Sequence, residues 1–289
     1  MSRLELPPGI EQIAGPGGLA MLDIHTPLAQ ARLALQGAQL LHWQPAGGAP
    51  VLWVSSTARY APGQALRGGI PVCWPWFGPR DDLPAHGFAR TTVWTVRAAQ
   101  VDAAGVAHLT LGLTDSAASR ALWDHAFDLE LQVHIGTTLT LGLTTRNCGN
   151  AVMTLTQALH SYFAISDVHA VTVRGLDGCA YLDKVRGGVS SVQLGDLRLG
   201  HETDRIYTGT TAPCVIDDAQ AQRRIVVAKS GSHSTVVWNP GPEREPLIHD
   251  LGAGDYKRML CVETTNAGPD QITLAPQASH TLQALISVM

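Results

Sequence analysis

The sequence predicts an all-β protein, a single domain over residues 1–289 built of stacked antiparallel sheets with a few short helices. Three observations predict it. Apolar and polar residues alternate with period two through most of the chain. Turn formers punctuate these runs, with 29 glycines and 17 prolines spread along the sequence. Helical periodicity is weak, so a βαβ architecture has no support, and no fixed-period repeat suggests a propeller.

Taken in chain order, "AHLTLGLT" alternates from Ala107, and "SAASRALW" offers about two helical turns. "FDLELQVHI" then sets Phe127, Leu129, Leu131, Val133 and Ile135 on one face, with Asp128, Glu130, Gln132 and His134 on the other. "TLTLGLTT", "RIVVAKS", "STVVWN" and "HTLQALISV" read as further strands, and "EPLIHDL" as a possible single turn of helix. "MTLTQALHSYFAI" reads as one strand. It puts His160 on a mixed face with Thr154, Thr156, Ala158 and Tyr162, opposite Leu155, Leu159 and Phe163. No linker composition divides the chain.

Bulk composition narrows the function. Hydrophobic residues make up 45% and charged residues 15%, enough for a large core. The formal net charge of −4 and the lack of a basic run argue against nucleic acid and anionic membranes as partners. No window approaches the ~20 apolar residues of a membrane span. The start, "MSRLELPPGIEQIAGPGGLAMLDIH", has proline and glycine where a signal peptide needs an apolar run, so a cytoplasmic protein is expected. Cys73, Cys148, Cys179, Cys214 and Cys261 are widely spaced with no C-x-x-C, which reads as small buried hydrophobes in a reducing compartment. The 12 histidines show no close ligand spacing, and "GPGG" and "GAGDYK" lack the context of a phosphate loop. Neither a metal nor another cofactor is expected. No interface pattern stands out, so a monomer is expected.

The segment "RGGIPVCWPWFGPRDDLPAHGFAR" departs from this background. Its prolines, glycines and aromatics suit a fixed loop that presents Arg67, His86 and Arg90 to a ligand. Two arginines so held could clamp a phosphate through paired donors. Trp74, Trp76 and Phe77 could wall a sugar, but packing the loop onto the sheets is the plainer role. Alone, His160 reads as a histidine hydrogen-bonded within a sheet. Asp204 in "DRIY" reads as half of a solvated turn pair. Glu263, among Leu260, Cys261 and Val262, must be partnered or functional, because an unpaired buried charge is expensive.

Together the ordered motifs "RGGIPVCWPWFG", "HGFAR", "ALHSYF", "DRIY", "VVWNPG" and "YKRMLCVETTNA" resemble the hexose-6-phosphate mutarotases, the glucose-6-phosphate 1-epimerase branch of the aldose 1-epimerase superfamily. The resemblance runs from about Arg67 to Asn266. It implies an antiparallel β-supersandwich of the galactose mutarotase-like type, acting without a cofactor on a hexose phosphate. By motif, it implies His160 and Glu263 as the acid–base pair, Arg67 and Arg90 at the substrate and its phosphate, and Asp204 on sugar hydroxyls. His86 is expected as a further donor. One departure is Ala85, which precedes His86 where some relatives are expected to carry a polar residue. By the resemblance, this departure puts a substrate contact from that position, and with it the sugar preference, in question.

The chemistry suits these residue types. Interconverting anomers requires taking a proton from the O1 hydroxyl and giving one to the ring oxygen, which a carboxylate and an imidazolium can do. After rotation about C1–C2 the roles exchange and the ring closes. Three other readings stay open: a non-catalytic sugar-phosphate-binding module, an epimerase of unphosphorylated aldoses, and a glycoside hydrolase using Glu263 with Asp204 as paired carboxylates.

Overall fold

The alternating runs fold as alternation dictates, each turning its apolar face inward. In the computed structural model, which describes residues 5–289, the strand Phe127–Ile135 buries its odd-numbered residues and leaves Asp128, Glu130, Gln132 and His134 less covered. Residues Met1 to Leu4 of the N-terminal stretch lie outside the described residues. Leu131 stands opposite Leu111 on one side and Leu143 on the other, so a row of leucines crosses the sheet. Each such side chain contributes roughly 1.5–3 kcal/mol when fully buried.

Two large antiparallel sheets form the body. The nine-stranded sheet runs in the order Leu197–Arg198, Thr172–Arg174, Cys214–Asp218, Arg223–Ser230, Ser279–Val288, Leu139–Asn147, Phe127–Ile135, Ala107–Thr114 and Thr95–Val101. The eight-stranded sheet runs Val189–Val192, Ala180–Asp183, Thr203–Thr208, Ser234–Asn239, Met259–Asn266, Gln157–Leu159 and Val72–Cys73, and Tyr162–Ala164 also pairs with Met259–Asn266. A four-stranded sheet from Ile10–Ala14 to Gln39–Pro45 completes the main framework, and the pair Met153–Leu155 and Ile272–Leu274 stands apart. One apolar core joins inner faces of all three larger sheets, including Leu33, Leu131, Leu282, Val237 and Val262. This is the predicted antiparallel β-sandwich in a single domain. Among the described residues, no helix is long and apolar enough to cross a membrane.

Helix is confined to short pieces. "SAASRALW" gives Ala117–Leu122, started by a capping box in which Ser116 and Ser119 exchange hydrogen bonds. "EPLIHDL" contributes only the turn Glu245–Leu247.

Three sequence readings are corrected here, the last of them in part. The run from Met153 to Ile165 is not one strand but three short ones, Met153–Leu155, Gln157–Leu159 and Tyr162–Ala164. Thr154 pairs away from the site, opposite Thr273. "DRIY" lies within the strand Thr203–Thr208 instead of a turn. The cysteine reading holds for Cys73, Cys214 and Cys261, which are buried, but Cys148 is exposed and Cys179 half-buried; all five thiols are free.

Candidate active site

The strand Met259–Asn266 is buried at every position, so its sequence hides the usual alternation. Its two faces nonetheless differ. Leu260 and Val262 enter the main core, while Met259 and Cys261 join a separate apolar group with Trp53, Tyr162 and Leu251. Strand geometry puts Glu263 on the side of Cys261, away from the main core. The neighbouring strands follow the same rule. Val237 and Tyr207 point inward, while Val236, Trp238, Ile206 and Asp204 line a cavity on the outer face.

Register brings the acid–base candidates together. Leu159 pairs with Thr264 and Tyr162 with Cys261, so the intervening His160 stands opposite Glu263. The ladder is interrupted there: Ser161 N–H turns back to Leu159 O at 3.0 Å, and His160 N–H donates to Pro71 O at 3.0 Å. The ring of His160 stacks on Tyr162, centroids 4.7 Å apart and planes within 7°, with Trp238 edge-on at 6.2 Å. Its Nδ1 lies 3.4 Å from Glu263 Oε1. The contact is close but not aligned as a hydrogen bond, and His160 Nδ1 and both Glu263 oxygens lack any hydrogen-bond partner. His160 is therefore not the satisfied sheet histidine that its segment alone suggested.

Such orphaned groups, with Glu263 only 1% exposed, shift their proton affinities. Burial, with Asp204 nearby, pushes the Glu263 carboxyl well above the usual carboxylate range. Burial first, then the proximity of His86 and of the charged Arg67 and Arg90, pushes His160 well below the usual histidine range. Both partners are thus biased toward their neutral forms, with one proton between them.

The loop from Arg67 to Arg90 forms the opposite wall. Backbone approach is close enough to demand glycine at Gly69 and Gly87. Both have positive φ, and an added Cβ would meet Leu40 O at 2.2 Å or Trp74 O at 1.9 Å. Trp74 and Trp76 anchor the loop inside the protein, Trp74 Nε1 donating to Thr145 Oγ1 at 2.9 Å and Trp76 Nε1 to Pro84 O at 2.8 Å. Phe77 instead lines the cavity, its backbone N–H held by Thr156 Oγ1 at 2.8 Å. The chain around Arg67 is pinned by buried Gln39, whose amide donates to Leu66 O and Gly68 O at 3.1 and 2.7 Å.

The cavity measures about 650 Å³, within the range of small-molecule sites. Arg67, His86, His160, Asp204 and Glu263 all line it. His86 Nδ1 accepts the Gly78 N–H at 3.3 Å, and burial with Arg90 and Arg67 nearby pushes this histidine down to about 3. A neutral imidazole that accepts at Nδ1 carries its proton on Nε2, so His86 is a donor. Asp204 is raised by burial.

Arg67 gives Nη1–H to Tyr162 Oη at 3.0 Å and forms an ion pair with Asp250 at 3.0 Å. Arg90 does not line this cavity. Its Nη2 donates to Ala85 O at 2.6 Å, its Nε is buried without a partner, and it faces an adjoining hollow with Arg59, Arg67 and His249. Arg67 and Ile248 belong to both spaces. Ala85 itself lines the cavity. Sequence reasoning did not assign Lys184, Trp238 and Arg244, which complete the cavity wall. Trp238 lay within the quoted "VVWNPG" motif, but the two cations sit in stretches with no motif to mark them.

Comparison with known proteins shows the family and the fold. Residues 21–287 match the aldose 1-epimerase family. A protein of Escherichia coli K12, provisionally named glucose-6-phosphate 1-epimerase, is 38% identical over 96% of this chain and 96% of its own. A plant protein from Cenchrus ciliaris with the same provisional name is 34% identical, over 85% of this chain and 77% of its own. The crystal structure of a provisionally assigned mutarotase from Salmonella typhimurium superposes with a TM-score of 0.92 at 36% identity, covering 98% of this chain and 95% of that one. A galactose mutarotase-like protein from Clostridium acetobutylicum shares the fold at TM-score 0.73 and 15% identity, covering 97% of this chain and 98% of that one.

Proposed function

Since the chain belongs to the aldose 1-epimerase family, we propose that it interconverts the α and β anomers of a hexose 6-phosphate, with glucose 6-phosphate the expected substrate. The observation that carries this reading is the Glu263–His160 pair: two buried titratable groups, 3.4 Å apart and unsatisfied, opening on a sugar-sized cavity.

Anomerisation moves protons at two oxygens bonded to the same carbon, C1. A pair as close as Glu263 and His160 can serve both at once. Glu263 takes the proton of the O1 hydroxyl, and His160 gives one to the ring oxygen as the C1–O5 bond breaks. The open aldehyde rotates about C1–C2 and closes on its other face, with the proton transfers reversed. Atoms and oxidation state are conserved, so proton transfer alone completes the cycle. The free site favours the proton on Glu263, whereas ring opening begins with it on His160. The substrate's hydroxyls supply the donors that the Glu263 oxygens otherwise lack, which favours the carboxylate when sugar is bound. Asp204 accepts from hydroxyls farther along the cavity, and His86 donates through Nε2.

For the phosphate, the reading places Arg67 at the junction of cavity and hollow and Arg90 beyond it. The unpartnered Nε of Arg90 supports an anion there, as do the names of the curated relatives. A second reading, an epimerase of unphosphorylated aldoses, draws on the Asp250 carboxylate that already balances Arg67. Five free thiols suit a reducing cytoplasm, and we expect a monomer.

The test is NMR exchange spectroscopy of α- and β-glucose 6-phosphate with and without protein, beside glucose. Faster exchange of the phosphate ester is expected. Acceleration of glucose alone would establish the second reading, and acceleration of neither would remove both.

A further inference from the structure

Cys261 has no part in the chemistry above, yet it stands two residues before Glu263 on the same face of the same strand. Its strand neighbours are Tyr162 and Trp238, the two aromatics that frame His160. Donor atoms of His160, Cys261 and Glu263 all lie within 4.8 Å of one another, and all three residues are buried. Among the described residues this is the one group of three potential metal ligands that converges so closely. It offers one nitrogen, one sulfur and one carboxylate oxygen, a donor set that suits a thiophilic divalent cation and not magnesium.

From this convergence we propose that His160, Cys261 and Glu263 form a binding site for Zn²⁺ or a similar thiophilic divalent ion, and that occupancy switches the enzyme off. Three features carry it. His160 Nδ1 and both Glu263 oxygens are buried and unpartnered, so a cation meets ligands with no hydrogen bonds to surrender. Tetrahedral zinc with bonds of about 2.0–2.3 Å holds its ligands roughly 3.3–3.8 Å apart. The group therefore needs to close by about an ångström, which side-chain rotation of Glu263 and Cys261 can supply. Two of the three ligands, His160 and Glu263, line the cavity, from which water or a sugar hydroxyl would supply a fourth ligand.

Binding follows a balanced step: the metal displaces the thiol proton of Cys261 and the proton shared by Glu263 and His160, and both are released to solvent. That proton is the one anomerisation uses, so the occupied pair can neither accept nor donate. The metal here is an inhibitor, which leaves the cofactor-free reaction unchanged. Metal binding stands independently of the functional reading; its inhibitory effect rests on it.

Two measurements on the full chain separate these claims. Co²⁺ added to protein kept reduced with a non-chelating phosphine should give a thiolate-to-metal charge-transfer band at one equivalent. That band should vanish in Cys261→Ala and weaken in His160→Asn. This readout needs no turnover. In the exchange assay, Zn²⁺ should inhibit the wild type reversibly, with EDTA restoring the rate and Mg²⁺ having no effect. Cys261→Ala should keep its basal rate while its inhibition midpoint for Zn²⁺ rises at least tenfold. If the alanine variant does not fold, Cys261→Ser replaces it, and His160→Asn supplies the spectral control. A band that persists without Cys261 would assign the metal to exposed Cys148 or to half-buried Cys179 and overturn the site. A Zn²⁺ midpoint unchanged by the cysteine substitution would overturn the inhibition.

Discussion

Replacing Glu263 with glutamine should abolish activity and stabilise the protein, and the two effects have one cause. The carboxyl is buried at the middle of a strand, with neither oxygen hydrogen-bonded. Glutamine keeps its shape but cannot take the O1 proton, so kcat should fall by roughly 100- to 10,000-fold. The stability effect follows from linkage. Burial raises the proton affinity of Glu263 in the folded protein, whereas in the unfolded chain it titrates near ~4.3. Stability from a raised group is fully present below the unfolded pKa and is lost as pH rises toward the folded one. The wild type should therefore lose stability as pH rises above the ordinary carboxylate range toward the raised folded value, at up to about 1.4 kcal/mol per pH step, a loss the glutamine escapes. Because the new amide is itself unsatisfied, the net gain near pH 8 should be about 1–2 kcal/mol, or roughly 2–4 °C of Tm per kcal/mol. NMR exchange gives the rate, and thermal melts at pH 5 and pH 8 give the stabilities, with the gap wider at pH 8. A variant that is active, or less stable than wild type at pH 8, would show that Glu263 is a satisfied structural partner and would refute the argument.

Other expectations follow from the same geometry. Because burial pushes His160 well below its ordinary value and His86 down to about 3, the acidic limb of kcat/KM should fall below pH ~6.5; a limb at or above that value would contradict the neutral pair. Arg67→Ala and Arg90→Ala should each lower the preference for glucose 6-phosphate over glucose by about one to two orders of magnitude, at 1.5–3 kcal/mol per charged hydrogen bond, with lysine rescuing only in part. A ratio unchanged by both substitutions would move the phosphate elsewhere. Dialysis against EDTA should leave the rate equal or higher, and a loss restored by a divalent ion would overturn the metal-free mechanism.

The sheets were legible because most strands have one face in the core and one less covered, which writes period two into the sequence. Phe127–Ile135 is the clearest case. The segment around His160 was misread for the same reason. Met153–Leu155, Gln157–Leu159 and Tyr162–Ala164 keep the alternation while their hydrogen bonds pass between partners, and pattern alone cannot register a break in pairing. Asp204 was misjudged because a polar residue on an outward sheet face resembles a turn residue until the cavity wall around it is known. Lys184 and Arg244 reach the cavity through long-range placement, and single charged residues near turns carry no mark of what they face.

Arg67 shows why residue identity outran residue role. The glycines and the proline beside it announced a fixed backbone, and Gln39 does hold the carbonyls on both sides of it. What the sequence could not show was Asp250, which approaches from a segment 183 residues away and forms an ion pair at 3.0 Å. An arginine already balanced by a carboxylate gains less from a phosphate than a free one, because the anion must compete with an existing partner. Arg90, with its buried and unpartnered Nε, has no such competitor at that atom. Of the two arginines, Arg90 should therefore show the larger loss of phosphate preference on substitution, although it stands outside the main cavity. Asp250→Asn should strengthen phosphate preference by freeing Arg67. If the asparagine variant instead lost preference, Asp250 would be orienting the guanidinium for the anion and not competing with it.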